Sequence, residues 1–151
     1  MIFISHRGNI TGPITNKENQ WDYILNALEK GFEVEIDLWK NNYLYLGHSE
    51  PKYKISKNIL EKYSSSLWIH CKNLEALLYC MDKKFHCFWH ESDAYALTSK
   101  GYIWAHPNSK IFMKTIMVMP EKKYGINDYN FDENIIGVCT DYPLEARDNF
   151  L

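Results

Sequence analysis

The stretch FEVEIDLW, residues 32 to 39, sets a pattern that recurs along the chain. It is an apolar run in which two carboxylates, Glu35 and Asp37, are embedded. Runs of this kind are typical of strands that are covered on both faces, as in a parallel sheet. Side chains two positions apart on a strand share a face, so Glu35 and Asp37 are expected to project together while Ile36 points the other way.

Six more apolar runs end in polar or charged residues and are predicted to be strands. They cover residues 2–4, 67–69, 85–89, 102–104, 116–119 and 135–139. Residues 43–46 follow two asparagines and predict a short hairpin return from the strand at 32–39. Together these runs predict a sheet that is mostly parallel.

Helices are expected between several of these strands. Trp21, Ile24 and Leu28 fall at helical spacing, with Asn16 or Asn19 as candidate caps and Gly31 as the stop. A second helix is predicted over residues 74–81, and a further turn or two over 93–99. Alternating strands and helices predict an α/β fold. The later connections are short, and a complete eight-fold barrel takes about 250 residues. We therefore expect a compact, reduced TIM-barrel-like (β/α) barrel with missing or shortened helices, as one domain over residues 1–151.

Composition narrows the function classes. The formal charge is −2 and the isoelectric point is near 6.3, which argues against nucleic-acid binding. No apolar run reaches the roughly 18 to 20 residues of a membrane span. No leader pattern precedes the first strand. The four cysteines are irregularly spaced without CxxC pairs, which predicts reduced thiols and a cytoplasmic protein.

Polar residues gather after the predicted strands, and in parallel α/β folds this carboxyl edge carries the site. Five of the six histidines belong to this set, whereas His86 begins its strand. Two adjacent carboxylates repel unless a proton or cation lies between them, so Glu35 and Asp37 predict a hard divalent ion, Mg²⁺ or Ca²⁺. The alternative is an exposed carboxylate pair or a salt bridge to Lys40.

Other residues of this edge have their own candidate roles. His6 and His48 could serve as general acid and base, or be ordinary polar residues. Arg7 offers a planar fork for phosphate oxygens and Lys72 a point charge, although Lys72 could be a surface lysine. Trp104 is either a core aromatic or a residue that stacks on the substrate.

Five motifs resemble, in order and spacing, the glycerophosphodiester phosphodiesterase family of phosphatidylinositol-phospholipase-C-like barrels. They are His6-Arg7-Gly8; Glu18-Asn19 with Ala27-Leu28-Glu29-Lys30-Gly31; Glu35-Ile36-Asp37; Gly47-His48; and Thr140-Asp141-Tyr142-Pro143. The resemblance spans residues 2 to 48 and 137 to 143, and the middle of the chain matches only in outline.

The resemblance implies a (β/α) barrel that binds one divalent cation and cleaves a small-molecule phosphodiester. On this basis Glu35 and Asp37 correspond to metal ligands, His6 and His48 to the catalytic histidines, and Arg7 to the residue that holds the phosphate. The chain departs from the family where His70 stands in place of a third metal-binding glutamate, although Lys72 is retained. His70 could lower metal affinity, favour Mn²⁺ or Zn²⁺, or contact the substrate.

The sequence thus predicts a metal-dependent phosphodiester hydrolase. Two alternatives stay open at this point: a lyase that forms a cyclic phosphate, and a barrel that binds a phosphorylated ligand without turnover. A homodimer that buries an exposed wall of the shortened barrel is also compatible with the many aromatic residues. A zinc site built from Cys71 and nearby histidines is a weaker possibility, because no paired-cysteine spacing supports it.

Overall fold

The architecture is that of a computed structural model, which describes residues 1–125 and 132–150. The strands are β1 (Ile2–His6), β2 (Glu33–Lys40), β3 (Leu44–Leu46), β4 (Tyr53–Ile55), β5 (Leu67–Cys71), β6 (Cys87–Phe88), β7 (Tyr95–Leu97), β8 (Ile103–Ala105), β9 (Thr115–Val118) and β10 (Ile135–Thr140). The helices are α1 (Trp21–Glu29), α2 (Lys57–Tyr63), α3 (Leu74–Asp82), α4 (Glu121–Tyr124) and α5 (Pro143–Phe150), with a 3₁₀ turn at Ser64–Ser66.

All ten strands belong to one mixed sheet. Its parallel part runs in the order β6-β5-β2-β1-β10-β9-β8. The antiparallel hairpin β3-β4 extends the end of β2, and β7 pairs antiparallel with β8. The α/β class predicted from the sequence is therefore confirmed.

The sheet does not close on itself. Within the described ranges no strand ladder joins β6 to β7 or β8. Isolated hydrogen bonds cross this gap instead: the Ser99 amide donates to the Cys87 carbonyl at 2.8 Å, the Cys87 amide donates to Ser99 Oγ at 3.0 Å, and Ser99 Oγ donates to the Phe85 carbonyl at 3.1 Å. The closed TIM barrel is not confirmed. The described residues form an α/β fold with one ten-stranded mixed sheet and few helices.

Two apolar clusters lie on opposite faces of this sheet. The alternate residues Val34, Ile36 and Leu38 of β2 pack in one cluster with residues of the helices, such as Ile24 and Leu60. The opposite, inward face carries the second cluster, whose largest members come from five strands: Ile4, Trp68, Phe88, Trp104 and Ile116. Two-residue periodicity separates the faces, which is why β2 is apolar towards the helices yet carries Glu35 and Asp37 inward.

Inside this curved sheet the space is narrow. A Cβ atom added to Gly137 of β10 would lie 2.7 Å from Ile116 Cδ1 and 2.9 Å from the carbonyl oxygen of Ile2. Glycine is therefore required here by the close approach of β1 and β9 to β10, rather than by backbone conformation.

Most predicted elements are confirmed, and three expectations need correction. The segment 93–99 is not helical: Ala96 is buried between exposed Tyr95 and Leu97, and this alternation belongs to strand β7. Neither Asn16 nor Asn19 caps α1, whose N-cap is Gln20 without a side-chain bond. Strand 85–89 is shortened to β6. Helices α2 and α5 were not predicted.

Large apolar side chains that are more than half exposed include Leu78 and Met81 on α3, and Leu97 on β7. The homodimer stays a prediction.

The four cysteines are free and buried. No helix in the described part of the chain combines the length and apolarity needed to span a membrane.

Candidate active site

The inward face of the sheet ends in a cavity of about 290 Å³ at the carboxyl ends of the strands. On several strands an apolar inward residue is followed two positions later by a polar one, as Trp68 is by His70, and Trp104 by His106. Five of the six histidines line the cavity: His6, His48, His70, His90 and His106. The sixth lies elsewhere, where the ring of buried His86 is hydrogen bonded to Thr98. The clustering expected from the sequence is therefore confirmed.

Glu35 and Asp37 point into the cluster as their spacing predicts, and both are buried rather than exposed. The register of the sheet sets His70 beside Asp37, because these residues are partners across β2 and β5. Donor atoms of Glu35, Asp37 and His70 all lie within 4.8 Å of one another. No ion pair between either carboxylate and Lys40 is present among the described residues. The three side chains form a candidate metal centre.

Asp37 is surrounded by groups that favour its charged form. Asn19 Nδ2 donates to its Oδ2 at 2.9 Å, and Arg7 Nε lies 2.9 Å from the same oxygen. Lys72 Nζ and His70 Nδ1 lie 3.6 and 3.2 Å from Oδ1. Burial alone would raise the pKa of Asp37, but the neighbouring imidazoles and the charge of Arg7 hold it well below its usual value.

Asn19 is fixed to strand β2 from both ends of its amide. Its carbonyl oxygen accepts the Asp37 backbone amide at 3.0 Å, while its nitrogen donates to the Asp37 carboxylate. The residue adopts a left-handed backbone with φ of 62°, a conformation that asparagine tolerates better than most residues. This double contact explains why Asn19 serves the site instead of capping α1.

Glu35 has a different environment, although it lies only two residues away. Its Oε2 is buried and has no hydrogen-bond partner in residues 1–125 and 132–150. The nearest nitrogens are His6 Nε2 and His70 Nδ1, each 4.0 Å from a Glu35 oxygen. Burial and the charge of Asp37 raise the pKa of Glu35, against the opposing effect of His6 and Arg7. A buried acceptor without a donor is an atom that can bind a cation.

His6 is oriented by Asp141, a residue 135 positions away in the sequence. Its Nδ1 lies 2.7 Å from Asp141 Oδ1, which also accepts a bond from Asn9 Nδ2 at 2.8 Å. A carboxylate can only accept, so Nδ1 carries the hydrogen and Nε2 faces the cavity. Burial lowers the pKa of His6, but Asp141 and Glu35 outweigh it and raise the value overall.

Arg7 occupies a left-handed backbone position with φ of 55°. The Arg7 amide donates to the Glu35 carbonyl at 3.0 Å, and the Asn19 amide donates to the Arg7 carbonyl at 3.1 Å, which hold this conformation. The guanidinium reaches Asp37 through Nε, Glu18 through Nη1 at 3.1 Å, and Nδ1 of His48 through Nη2. The contact of Nε with Asp37 is an ion pair without hydrogen-bond geometry, so the Nε–H has no hydrogen-bond acceptor among the described residues.

His48 follows β3 in a loop that is held on both sides. Trp39 Nε1 donates to the carbonyl of Gly47 at 2.6 Å, and the Gly47 amide donates to the Asp37 carbonyl at 3.1 Å. A Cβ on Gly47 would lie 2.1 Å from the Glu50 carbonyl oxygen, so the loop needs glycine there. The side chain of His48 is about half exposed, at 51 %. It lies at the mouth of the cavity.

The remaining predicted residues also belong to the cavity region. Lys72 is an inward residue with 16 % exposure rather than a surface lysine. Trp104 lines the cavity but is 3 % exposed, with ring centroids 4.5 Å from Phe88 and 5.8 Å from Trp68. Its packing is that of a core aromatic, and substrate stacking by Trp104 stays a prediction. Glu33, unexplained by the sequence, accepts the indole N–H of Trp68.

Several site residues have roles that the sequence did not assign. Asp141 orients His6, Glu18 binds Arg7, and Asn19 binds Asp37. The cavity is also lined by His90, His106 and Lys122. Burial together with the fields of His70 and His106 lowers the pKa of His90 to about 4. The alternation of side chains along each strand could have identified some of these residues, because residues 90, 106 and 141 lie two positions after inward apolar residues.

The chain has no match among models of known protein families, among the curated proteins or among the solved structures. The likeness to glycerophosphodiester phosphodiesterases therefore depends on the five sequence motifs alone. Any assignment of function therefore depends on the geometry of the site together with these motifs.

Proposed function

We propose that the protein is a metal-dependent phosphodiesterase. The observation that carries the proposal is the meeting of His6, Glu35, His48 and His70 in one cavity of about 290 Å³, with Asp37 beside them. Two imidazoles and a carboxylate pair are the groups needed for proton transfer and for holding a cation near a phosphate. The five motifs of the sequence support the same reaction.

A divalent cation fits the residues that surround the carboxylate pair. Glu35, Asp37 and His70 offer three donor atoms, and the buried Glu35 Oε2 lacks a partner in the described residues. Four carboxylates, from Glu18, Glu35, Asp37 and Asp141, lie in the cluster, and the permanent cations of the cavity region are Arg7, Lys72 and Lys122. Such an ion, when bound, would neutralise a phosphate oxygen and stabilise charge in the transition state.

The contacts of the two histidines favour different proton-transfer roles. His6 is held through Nδ1 by Asp141, which leaves Nε2 free to accept a proton and makes the ring more basic. His48 Nδ1 contacts Arg7 Nη2 and lies 3.4 Å from a carboxylate oxygen of Asp37, so it can accept from Arg7 in the neutral ring or donate to Asp37 in the imidazolium, with Nε2 at the open mouth of the cavity. We assign His6 as the base and the imidazolium form of His48 as the acid, which gives its Nε2 proton to the leaving oxygen and becomes the neutral ring.

Arg7 and Lys72 supply positive charge to the phosphate. Both already lie against Asp37, which positions them without exposing them to solvent. Arg7 keeps N–H groups that are not used in its hydrogen bonds to Glu18 and His48, and a guanidinium fork suits a pair of phosphate oxygens. Their role is to bind and orient the anion between the two histidines.

The test is an assay on bis-p-nitrophenyl phosphate with Mg²⁺, Ca²⁺, Mn²⁺ and Zn²⁺ in separate reactions. His6→Gln and His48→Gln should each lower turnover by about 100-fold or more, as removal of a general acid or base does. His86→Gln is the matched control, because that buried histidine lies outside the cavity. Near-wild-type turnover in either cavity variant would refute the assignment.

The attacking group is a separate question that product analysis decides. Water gives a phosphomonoester, whereas a neighbouring substrate hydroxyl gives a cyclic phosphate. Phosphorus NMR of the products from a hydroxyl-bearing phosphodiester such as a glycerophosphodiester distinguishes hydrolysis from the lyase reaction.

A non-catalytic phospho-ligand-binding protein is the second candidate. It is favoured by the pairing of Asp37 with Arg7 and Lys72, which competes with metal binding. Calorimetric binding of the metal and of a phosphomonoester, with no turnover on a broad panel of phosphodiesters, would support this candidate instead.

The strand order supports a reduced barrel as the scaffold. Counted from β1, the neighbouring strands are β2, β5 and β6 on one side and β10, β9 and β8 on the other. Strand β7 and the hydrogen bonds of Ser99 lie where the circle would close. An eight-stranded barrel with its fifth position filled by an antiparallel strand accounts for this order.

A further inference from the structure

We infer that the metal centre selects a nitrogen-accepting transition metal of the Mn²⁺, Co²⁺ or Zn²⁺ class over Mg²⁺ and Ca²⁺, with His70 Nδ1 as its third ligand. The inference rests on the proposed function only in using the same metal site. It concerns which ions this chain's own residues accept, since the carboxylate pair by itself would favour the hard ions.

The hydrogen bond made by Nε2 of His70 determines which ring nitrogen can bind a metal ion. His70 Nε2 lies 3.3 Å from the backbone carbonyl oxygen of His90. A carbonyl only accepts, so Nε2 carries the hydrogen and, in the neutral ring, Nδ1 presents a lone pair. Histidines that bind metals almost always donate their other N–H in this way, to a carbonyl or a carboxylate.

The free nitrogen faces the two carboxylates. His70 Nδ1 lies 3.2 Å from Asp37 Oδ1 and 4.0 Å from Glu35 Oε1. In the neutral ring this lone pair faces carboxylate oxygens, an arrangement that is repulsive unless a proton or a cation lies between them. Glu35 Oε2, 3 % exposed as a residue and without a hydrogen-bond partner in the described chain, is the independent sign of a buried acceptor that can bind a cation.

The ring of His70 is held in this orientation by its neighbours. It lies beside the rings of Phe88 and His90, with centroids 5.2 and 4.5 Å away and planes tilted by 7° and 3°. The backbone register fixes its position further, because His70 pairs with Asp37 on one side and with Phe88 on the other. A ligand that is positioned before the ion arrives binds with a smaller loss of conformational entropy.

The donor set determines the class of ion. Mg²⁺ and Ca²⁺ take oxygen ligands, whereas imidazole suits the later divalent ions. Asp37 is also ion paired with Arg7 and Lys72, and this pairing weakens the binding of ions that are held mainly by electrostatic attraction. An ion that gains from a nitrogen bond is less affected by this competition.

The experiment measures metal binding by the whole chain after EDTA dialysis, by titration calorimetry with Mg²⁺, Ca²⁺, Mn²⁺, Co²⁺ and Zn²⁺. The informative variant is His70→Glu, which restores an oxygen ligand. We expect it to bind Co²⁺ and Zn²⁺ about tenfold or more weakly and Mg²⁺ and Ca²⁺ more tightly. His106→Gln, in the same cavity but outside the three-residue cluster, should keep the wild-type order of affinities.

A spectroscopic measurement identifies the ligand without use of activity. Proton NMR of the Co²⁺-loaded wild type should contain a paramagnetically shifted, exchangeable imidazole N–H from His70 Nε2. The signal should persist in His106→Gln and be absent from His70→Glu. The wild-type spectrum and the His106→Gln spectrum decide the question even where His70→Glu does not fold.

The possible outcomes separate this inference from the proposed function. Binding of Mg²⁺ or Ca²⁺ together with no shifted imidazole signal, or an unchanged metal order in His70→Glu, overturns the inference while the phosphodiesterase proposal survives. Absence of binding by all five ions overturns both. Cobalt ligation by His70 without turnover on phosphodiesters supports the inference and contradicts the proposed function.

Discussion

Neutralising Glu35 should stabilise the metal-free protein, although Glu35 is buried in the centre of the proposed site. A buried acceptor without a partner costs about 1–3 kcal/mol, and more when it is charged. Glu35 Oε2 is in that situation among the described residues, with His6 Nε2 4.0 Å away. In Glu35→Gln the new amide can donate to His6 Nε2, which Asp141 leaves as an acceptor. We expect the free energy of unfolding to rise by about 1–2 kcal/mol.

Asp37→Asn provides the matched comparison, because Asp37 lies on the same strand and face but is fully paired. Loss of its charge leaves Arg7 and Lys72 without their shared carboxylate, at 2.9 and 3.6 Å. Breaking a buried ion pair costs about 3–5 kcal/mol, and the remaining contact of Arg7 with Glu18 favours the lower end, about 3 kcal/mol. The two substitutions are thus expected to have opposite signs.

Urea denaturation at pH 7 in EDTA measures both effects, with equal m-values as the check on two-state behaviour. Repeating the series with the ion that binds best completes the test. At 100 times its dissociation constant, a ligand stabilises the wild type by about 2.7 kcal/mol, and both variants should lose most of this gain. Destabilisation of metal-free Glu35→Gln by more than about 1 kcal/mol would refute the reasoning, because Glu35 would then be satisfied without a cation.

Three further predictions concern other parts of the molecule. Asp141→Asn removes the charge that helps to raise the pKa of His6, so this pKa, followed by proton NMR, should fall; an unchanged pKa would contradict the pairing. His86 has a pKa lowered to about 4 by burial, first of all, and by the field of Lys100. Because the unfolded value is about 6.5, the unfolded state binds more protons between these values, and stability falls as pH drops. His86 should account for a loss of about 2 kcal/mol between pH 7 and pH 5, absent from His86→Gln in urea titrations at the two values. Gly137→Ala should lower the free energy of unfolding by about 1–3 kcal/mol through overpacking, measured by urea denaturation, and a wild-type value would show that the interior can expand.

Much of the fold could be predicted from local periodicity. The apolar runs located seven of the ten strands, and the hairpin signal located β3. Segment 93–99 was misassigned, because its only indication of β7 is one buried alanine between two exposed residues. That strand exists because it pairs with β8, a contact that local sequence does not encode. Tertiary pairing overrides weak local preference in such short segments.

At the site, the sequence alone determined which faces the functional groups occupy. A period of two residues places Glu35 with Asp37 and carries His70 and His106 to the inward side, whatever the neighbouring strands are. Only the tertiary structure decided the partners: among the described residues Asp37 is hydrogen bonded whereas Glu35 Oε2 is not, and His6 meets a carboxylate 135 residues away. The physical reason is range. Side-chain direction follows from backbone geometry within a few residues, whereas charge pairing depends on the register between strands that meet only after the chain has folded.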